Sequence, residues 1–142
     1  MKFWLLKTEP GSYGFDDLLR DRKTTWNGVT NALALKHLRA MHKGDQALIY
    51  HTADERAVVG IAQVASDPYP DPGADNPRIV VVDIKPGKKL VHSLTLDQIK
   101  SDRAFAGWDL LRNSRLSVMP VPDAMWDRIL ALGTISSARG AK

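Results

Sequence analysis

Three short stretches of this chain gather hydrogen-bonding and aromatic side chains at points where the backbone turns. Lys7, Thr8 and Glu9 follow an apolar run and precede Pro10. Trp26 stands directly ahead of Asn27, Gly28, Val29, Thr30 and Asn31. Tyr50, His51 and Thr52 close another apolar run. Strand ends and helix caps are where a rigid scaffold most readily converges groups on a pocket. The indole offers a stacking face, and the lysine, hydroxyls, carboxylate, imidazole and amide offer donors and acceptors. Together they are suited to holding a polar ring or an anionic group. Each also has a purely structural use: Trp26 as cover for a core edge, Asn31 as a helix cap, Tyr50 as an ordinary strand residue, His51 as a buried ring.

The patterns that would add catalysis to this binding chemistry are missing. With no cysteine in the chain, disulfides, thiolate metal sites and a cysteine nucleophile are excluded. The four histidines, His37, His42, His51 and His92, show no metal-ligand spacing. His37 and His42 fall on different faces of any helix that holds both. Glu9 and Glu55 are the only glutamates and form no local pair. No glycine-rich phosphate loop and no nucleophile elbow occurs. The chain therefore reads as a binding module rather than an enzyme, with no metal and no cofactor.

The elements that must position these residues are short. Phe3 to Lys7 reads as a strand stopped by Pro10-Gly11-Ser12. Asp16 and Asp17 suit the first turn of a helix from Phe15 to Arg20. Asp21 to Thr30 reads as a polar loop with Trp26 in its middle. Asn31 caps a helix over 32–41 whose Leu35, Leu38 and Met41 share one side, with Lys36 and Arg39 toward water. Gln46 to His51 and Ala57 to Val64 form an expected antiparallel pair, and 66–77, rich in proline and aspartate, forms a surface loop. Ile79 to Ile84 is a further strand, ended by Pro86-Gly87 inside a solvated Lys85–Lys89 turn. Thr95 and Gln98 have capping-box spacing, flanked by Leu94 and Ile99 as a hydrophobic staple. A strand over 116–121 and a helix opened by Pro122 and stopped at Gly133 complete the series.

Short strands mixed with short helices, without long alternating βα units, predict an α+β fold: a small open β-barrel of five to six strands with helices packed around it. The 142 residues fit one domain over 1–135, followed by a flexible tail over 136–142. The formal charge of +4 falls to +2 without Arg139 and Lys142 of that tail, too little for a protein that grips nucleic acid by its backbone alone. No stretch is long and apolar enough for a signal peptide or a membrane span. A cytoplasmic monomer is the expectation, or a nuclear one in a eukaryote.

Taken in order, several segments resemble EVE-domain proteins, the family that includes the thymocyte nuclear proteins. They are F-W-L-L-K-T-E-P from Phe3, W-N-G-V-T-N from Trp26, L-R-A-M-H-K-G-D-Q-A-L-I-Y-H-T from Leu38, N-P from Asn76, V-D-I from Val82 and R-L-S-V-M-P-V from Arg115. The resemblance runs from Phe3 to about Gly133. It implies a PUA-like fold and a non-enzymatic pocket that reads a modified base in DNA or RNA, akin to the YTH readers of methylated adenine. The matching positions imply that Lys7, Thr8 and Trp26 help build the base site. The chain departs from the family pattern at Thr30 and Leu35, where arginines are usual. The full candidate set is Lys7, Thr8, Glu9, Trp26, Gly28, Val29, Asn31, Tyr50, His51 and Thr52. Alternative readings are a binder of a small anionic or heterocyclic metabolite, and an enzyme or accessory factor in RNA modification.

Overall fold

The apolar run Phe3–Thr8 (β1) forms the pivot of a curled sheet. Trp4, Leu5 and Leu6 are all buried, so this strand is covered on both faces and carries no polar alternation. β1 pairs in parallel with Gln46–His51 (β3), in register from Phe3 opposite Gln46 to Thr8 opposite His51. Its other edge pairs antiparallel with Val118–Pro120 (β7). β3 pairs antiparallel with Ala57–Val64 (β4), and β4 with the long strand Val80–Thr95 (β6). β6 also pairs with Thr24–Trp26 (β2) and the two-residue Tyr69–Pro70 (β5). The order is β2-β6-β4-β3-β1-β7, an open half-barrel of six strands plus β5. The fold is therefore the expected PUA-like α+β barrel. The computed structural model describes the backbone over 1–139 and side chains through Thr134.

Helices close the barrel. Pro10–Tyr13 (α1) and Phe15–Asp21 (α2) follow β1. Ala32–Arg39 (α3) is capped by Asn31, whose Oδ1 accepts the amides of Leu33 and Ala34 at 3.0 Å. Leu96–Lys100 (α4) begins at the capping box, where the Gln98 amide donates to the Thr95 hydroxyl and the Thr95 amide donates to Gln98. Asp109–Arg112 (α5) and Asp123–Arg139 (α6) complete the set. The Phe3 and Trp126 rings stack at 4.2 Å and seat α6 against β1. At the foot of β1 the Trp4 indole N–H donates to buried Asp45 at 3.0 Å, and the Lys2 and His42 amides donate to the same carboxylate.

Pro10-Gly11-Ser12 does stop β1, which ends at Thr8, and it also opens the single turn of α1. Three local expectations give way to tertiary pairing and packing. Trp26 belongs to β2, not to a loop, because Thr24–Trp26 pairs with Val82–Ile84. Pro86 and Gly87 do not end β6: Pro86 lies opposite Ala62, beyond Ile84, the last residue paired to β2. Proline is tolerated at such edges and irregular registers, and Gly87 passes where a β-carbon would sit 2.8 Å from the Ile61 carbonyl. Gly133 does not stop α6. A β-carbon there would stand 3.0 Å from both Leu90 methyls, so the glycine allows helix and strand to approach. α6 thus runs through Arg139 into the expected tail, and residues 140–142 lie outside the described region.

Candidate functional site

β1 ends beside two clefts, and strand geometry decides which residue faces which. Successive side chains of a strand point to opposite faces. Thr8 lines one cleft and Lys7 the other, so the ten candidate residues do not form one pocket.

The Thr8 cleft has a volume of about 230 Å³ and is lined by Thr8, Tyr13, Thr24, Thr25, Trp26 and Asn27. The Thr8 hydroxyl donates to the Tyr13 carbonyl at 2.6 Å, which ties the end of β1 to α1. The Tyr13 hydroxyl donates to Asp21 at 2.9 Å. Burial and that carboxylate push the tyrosine pKa upward and keep the phenol neutral. Thr25 donates to Asp83 on β6 at 3.1 Å. Asn27 is exposed and its amide makes no hydrogen bond among the described residues. Trp26 is only 8% exposed and belongs to the core. It is a cleft wall and a core residue at once, not the open platform its polar surroundings suggested. No carboxylate lines this cleft. Its groups hydrogen-bond without charge.

The second cleft, about 320 Å³, lies on the other side of β1 and is lined by Lys7, Tyr50, Thr52 and Arg56, with Lys100 and Ser114 at its rim. Leu96 and Leu110 give it an apolar floor. The Lys7 ammonium donates to the Ser114 carbonyl at 3.1 Å and lies 5.7 Å from the centre of the Tyr50 ring. Burial lowers the Lys7 pKa and raises that of Tyr50. None of the ion pairs among the described residues includes Lys7, Arg56 or Lys100.

The remaining candidates line neither cleft. Glu9 is exposed and accepts from the Ser12 hydroxyl at 3.1 Å. Gly28 takes a left-handed φ of 82° in the turn after β2, and Val29 packs into the core. Asn31 caps α3 with its carbonyl oxygen. His51 is buried with both ring nitrogens engaged, Nε2 accepting the Phe15 amide at 3.0 Å and Nδ1 2.8 Å from Glu55. Its ring has no nitrogen left for a ligand. Of the two departures from the family pattern, Thr30 is exposed, whereas Leu35 is 5% exposed and faces the core rather than any ligand path. Tyr13, Thr24, Thr25 and Asn27 join the site unforeseen. The β-branched pair ahead of Trp26 was the available signal for a strand there.

A family model described as the EVE domain matches residues 2–132. The chain belongs to the EVE-domain family. This EVE domain is 30% identical to thymocyte nuclear protein 1 of Rattus norvegicus, over 92% of the chain and 73% of that relative. It superimposes on a protein from Rhodopseudomonas palustris with a TM-score of 0.89 at 36% identity, covering 94% of this chain and 93% of that one. It also superimposes on human THYN1 in complex with DNA containing 5-methylcytosine, with a TM-score of 0.87 at 26% identity over 94% and 98% of the two chains. Among the described residues of the domain, no group of histidines and acidic side chains could hold a metal ion. No described helix is long and apolar enough to cross a membrane.

Proposed function

We propose that this EVE domain binds DNA by drawing one modified base out of the stack into the cleft between Thr8 and Trp26, and that the base is a 5-methylated pyrimidine. The observation that carries this reading is the lining of that cleft: an indole wall, three threonine hydroxyls, a neutral phenol and an unengaged asparagine amide, with no charged group. Such a lining reads the edge of an uncharged heterocycle by hydrogen bonds and stacks its face. A volume of about 230 Å³ accommodates one ring rather than a dinucleotide. The human relative's complex with 5-methylcytosine DNA supports the choice of polymer and modification. No residue pair in the cleft is arranged for acid–base or nucleophilic chemistry, which supports recognition without turnover.

The test is an anisotropy titration of matched duplexes carrying cytosine or 5-methylcytosine, beside an RNA strand of the same sequence. A buried methyl group is worth about 0.8 kcal/mol, so the methylated duplex binds about fourfold more tightly, and Asn27→Ala weakens both. Equal affinity for the two duplexes sinks the methyl-reading proposal. Tighter binding of the RNA reassigns the polymer.

A further inference from the structure

The Thr8 cleft contains no cation, so it offers nothing to the phosphates that any flipped base brings with it. The cations lie across β1. Lys7, Arg56 and Lys100 converge on the second cleft from three elements: the end of β1, the turn before β4, and the last residue of α4. None is neutralised by a carboxylate among the described residues. Arg56 is held in a left-handed conformation with φ of 43°, which is uncommon for a residue with a side chain. The neighbouring groove past Arg56 carries Asp54, Glu55 and Asp97, so an anion is attracted to the Lys7 side of Arg56 and repelled from the other. The same cleft is floored by the apolar side chains of Leu96 and Leu110 and by the buried Tyr50 ring. Bare inorganic phosphate gains nothing from such a floor, whereas the carbon face of a sugar does.

We propose that the Lys7–Arg56–Lys100 cleft is the backbone site of the same nucleic acid, taking a phosphodiester and its adjoining sugar on the face of β1 opposite the base cleft. This rests on the base-reading proposal for its choice of polymer. Lys7 and Thr8 are consecutive residues of one strand, so the two clefts open on either side of a single strand end. A chain passing over that end puts a base on one side and its neighbouring phosphate on the other. Three engaged cations set a log–log salt slope of about −3, small for a DNA-binding protein. This matches the modest +4 charge of the chain.

The experiment measures affinity for the cytosine and 5-methylcytosine duplexes at several salt concentrations, with the full chain and with Arg56→Ala, Lys100→Ala and Trp26→Phe. Arg56 and Lys100 are exposed, so their alanine variants fold. Each cation variant is expected to reduce the magnitude of the slope by about 1. Each also weakens both duplexes by the same factor and leaves the methyl preference intact. Trp26→Phe is expected to change the preference and leave the slope alone. Unchanged slopes in both cation variants overturn the proposal. So does saturable binding of inorganic phosphate or a nucleoside 5′-monophosphate in this cleft that is lost in those variants while their DNA slopes stay fixed, because the anion is then a small molecule. If the full chain shows no methyl preference, the base reading fails while the slopes still report on this cleft.

Discussion

His51 and Phe15 are joined by a hydrogen bond in which the Phe15 amide, the first of α2, donates to the imidazole Nε2 at 3.0 Å. The ring satisfies a helix-start amide that has no partner inside the helix, and Glu55 holds the other nitrogen at 2.8 Å. His51→Leu removes the acceptor and leaves a buried amide unpaired. The expected cost is about 1–3 kcal/mol in a denaturant melt. Affinity of the remaining folded protein for methylated DNA stays as it was. A fall in affinity without a fall in stability would place the ring in contact with ligand instead.

Trp26 does two jobs, so its variants separate them. Trp26→Ala opens a cavity beneath β2 and is expected to cost about 3–5 kcal/mol of stability. Trp26→Phe keeps most of the packing and a smaller stacking face. It is expected to lose less stability than the alanine variant and part of the roughly 1–3 kcal/mol that base–aromatic stacking contributes. Paired melts and titrations read both effects. An alanine variant as stable as the parent contradicts the burial of this indole.

The two family-pattern departures are predicted to behave differently when arginine is restored. Leu35 faces the core, so Leu35→Arg buries a cation without a partner and is expected to cost about 3–5 kcal/mol. Thr30 is exposed, so Thr30→Arg changes stability by less than about 0.5 kcal/mol. If its side chain reaches a phosphate, the salt slope steepens by about 1. Thermal melts and salt titrations of the two single variants check this.

The Asp45 carboxylate sets an acid limit on stability. Burial alone would raise its pKa, but the hydrogen bonds from the Trp4 indole and the Lys2 and His42 amides outweigh burial and hold it below its ordinary 3.8. A carboxyl depressed in the folded state stabilises fully above its unfolded pKa and loses that contribution as pH falls through the folded value. The loss therefore begins near pH 3.8 and continues below it. Asp45→Asn turns one acceptor oxygen into a donor facing donors. It is expected to cost about 1–3 kcal/mol at neutral pH and to flatten this acid dependence, as melts across pH 2–7 would show.

Where a stretch of sequence carries its own local signal, it was legible. Both ends of β3 and β4 coincide with the apolar runs Gln46–His51 and Ala57–Val64, and the Asn31 cap and Thr95 capping box form as their spacing requires. Where long-range pairing overrides local chemistry, it was not. Pro86 and Gly87 mark a turn in isolation, yet β4 draws them into β6. Three residues are too few to show alternation, so β2 was hidden in a polar stretch and Trp26 with it. The division of the site was nearly readable: adjacent residues of a strand must face apart, so Lys7 and Thr8 could not serve one pocket. The identity of each cleft's other walls depended on α1, β2 and α4 packing beside that strand end, which no local pattern specifies.

β1 is made before both of its partners, yet it lies between β3 and β7, and its partner on the far edge is Val118–Pro120. Residues more than 110 positions apart must therefore meet before its edge is closed. Contacts of such long separation form late and slowly. The Lys7 cleft takes Ser114 from the segment just ahead of β7, so that cleft is completed only when the far edge of β1 is closed. A nascent chain halted before residue 118 has β1 with one edge exposed, a species suited to capture by chaperones and not by DNA.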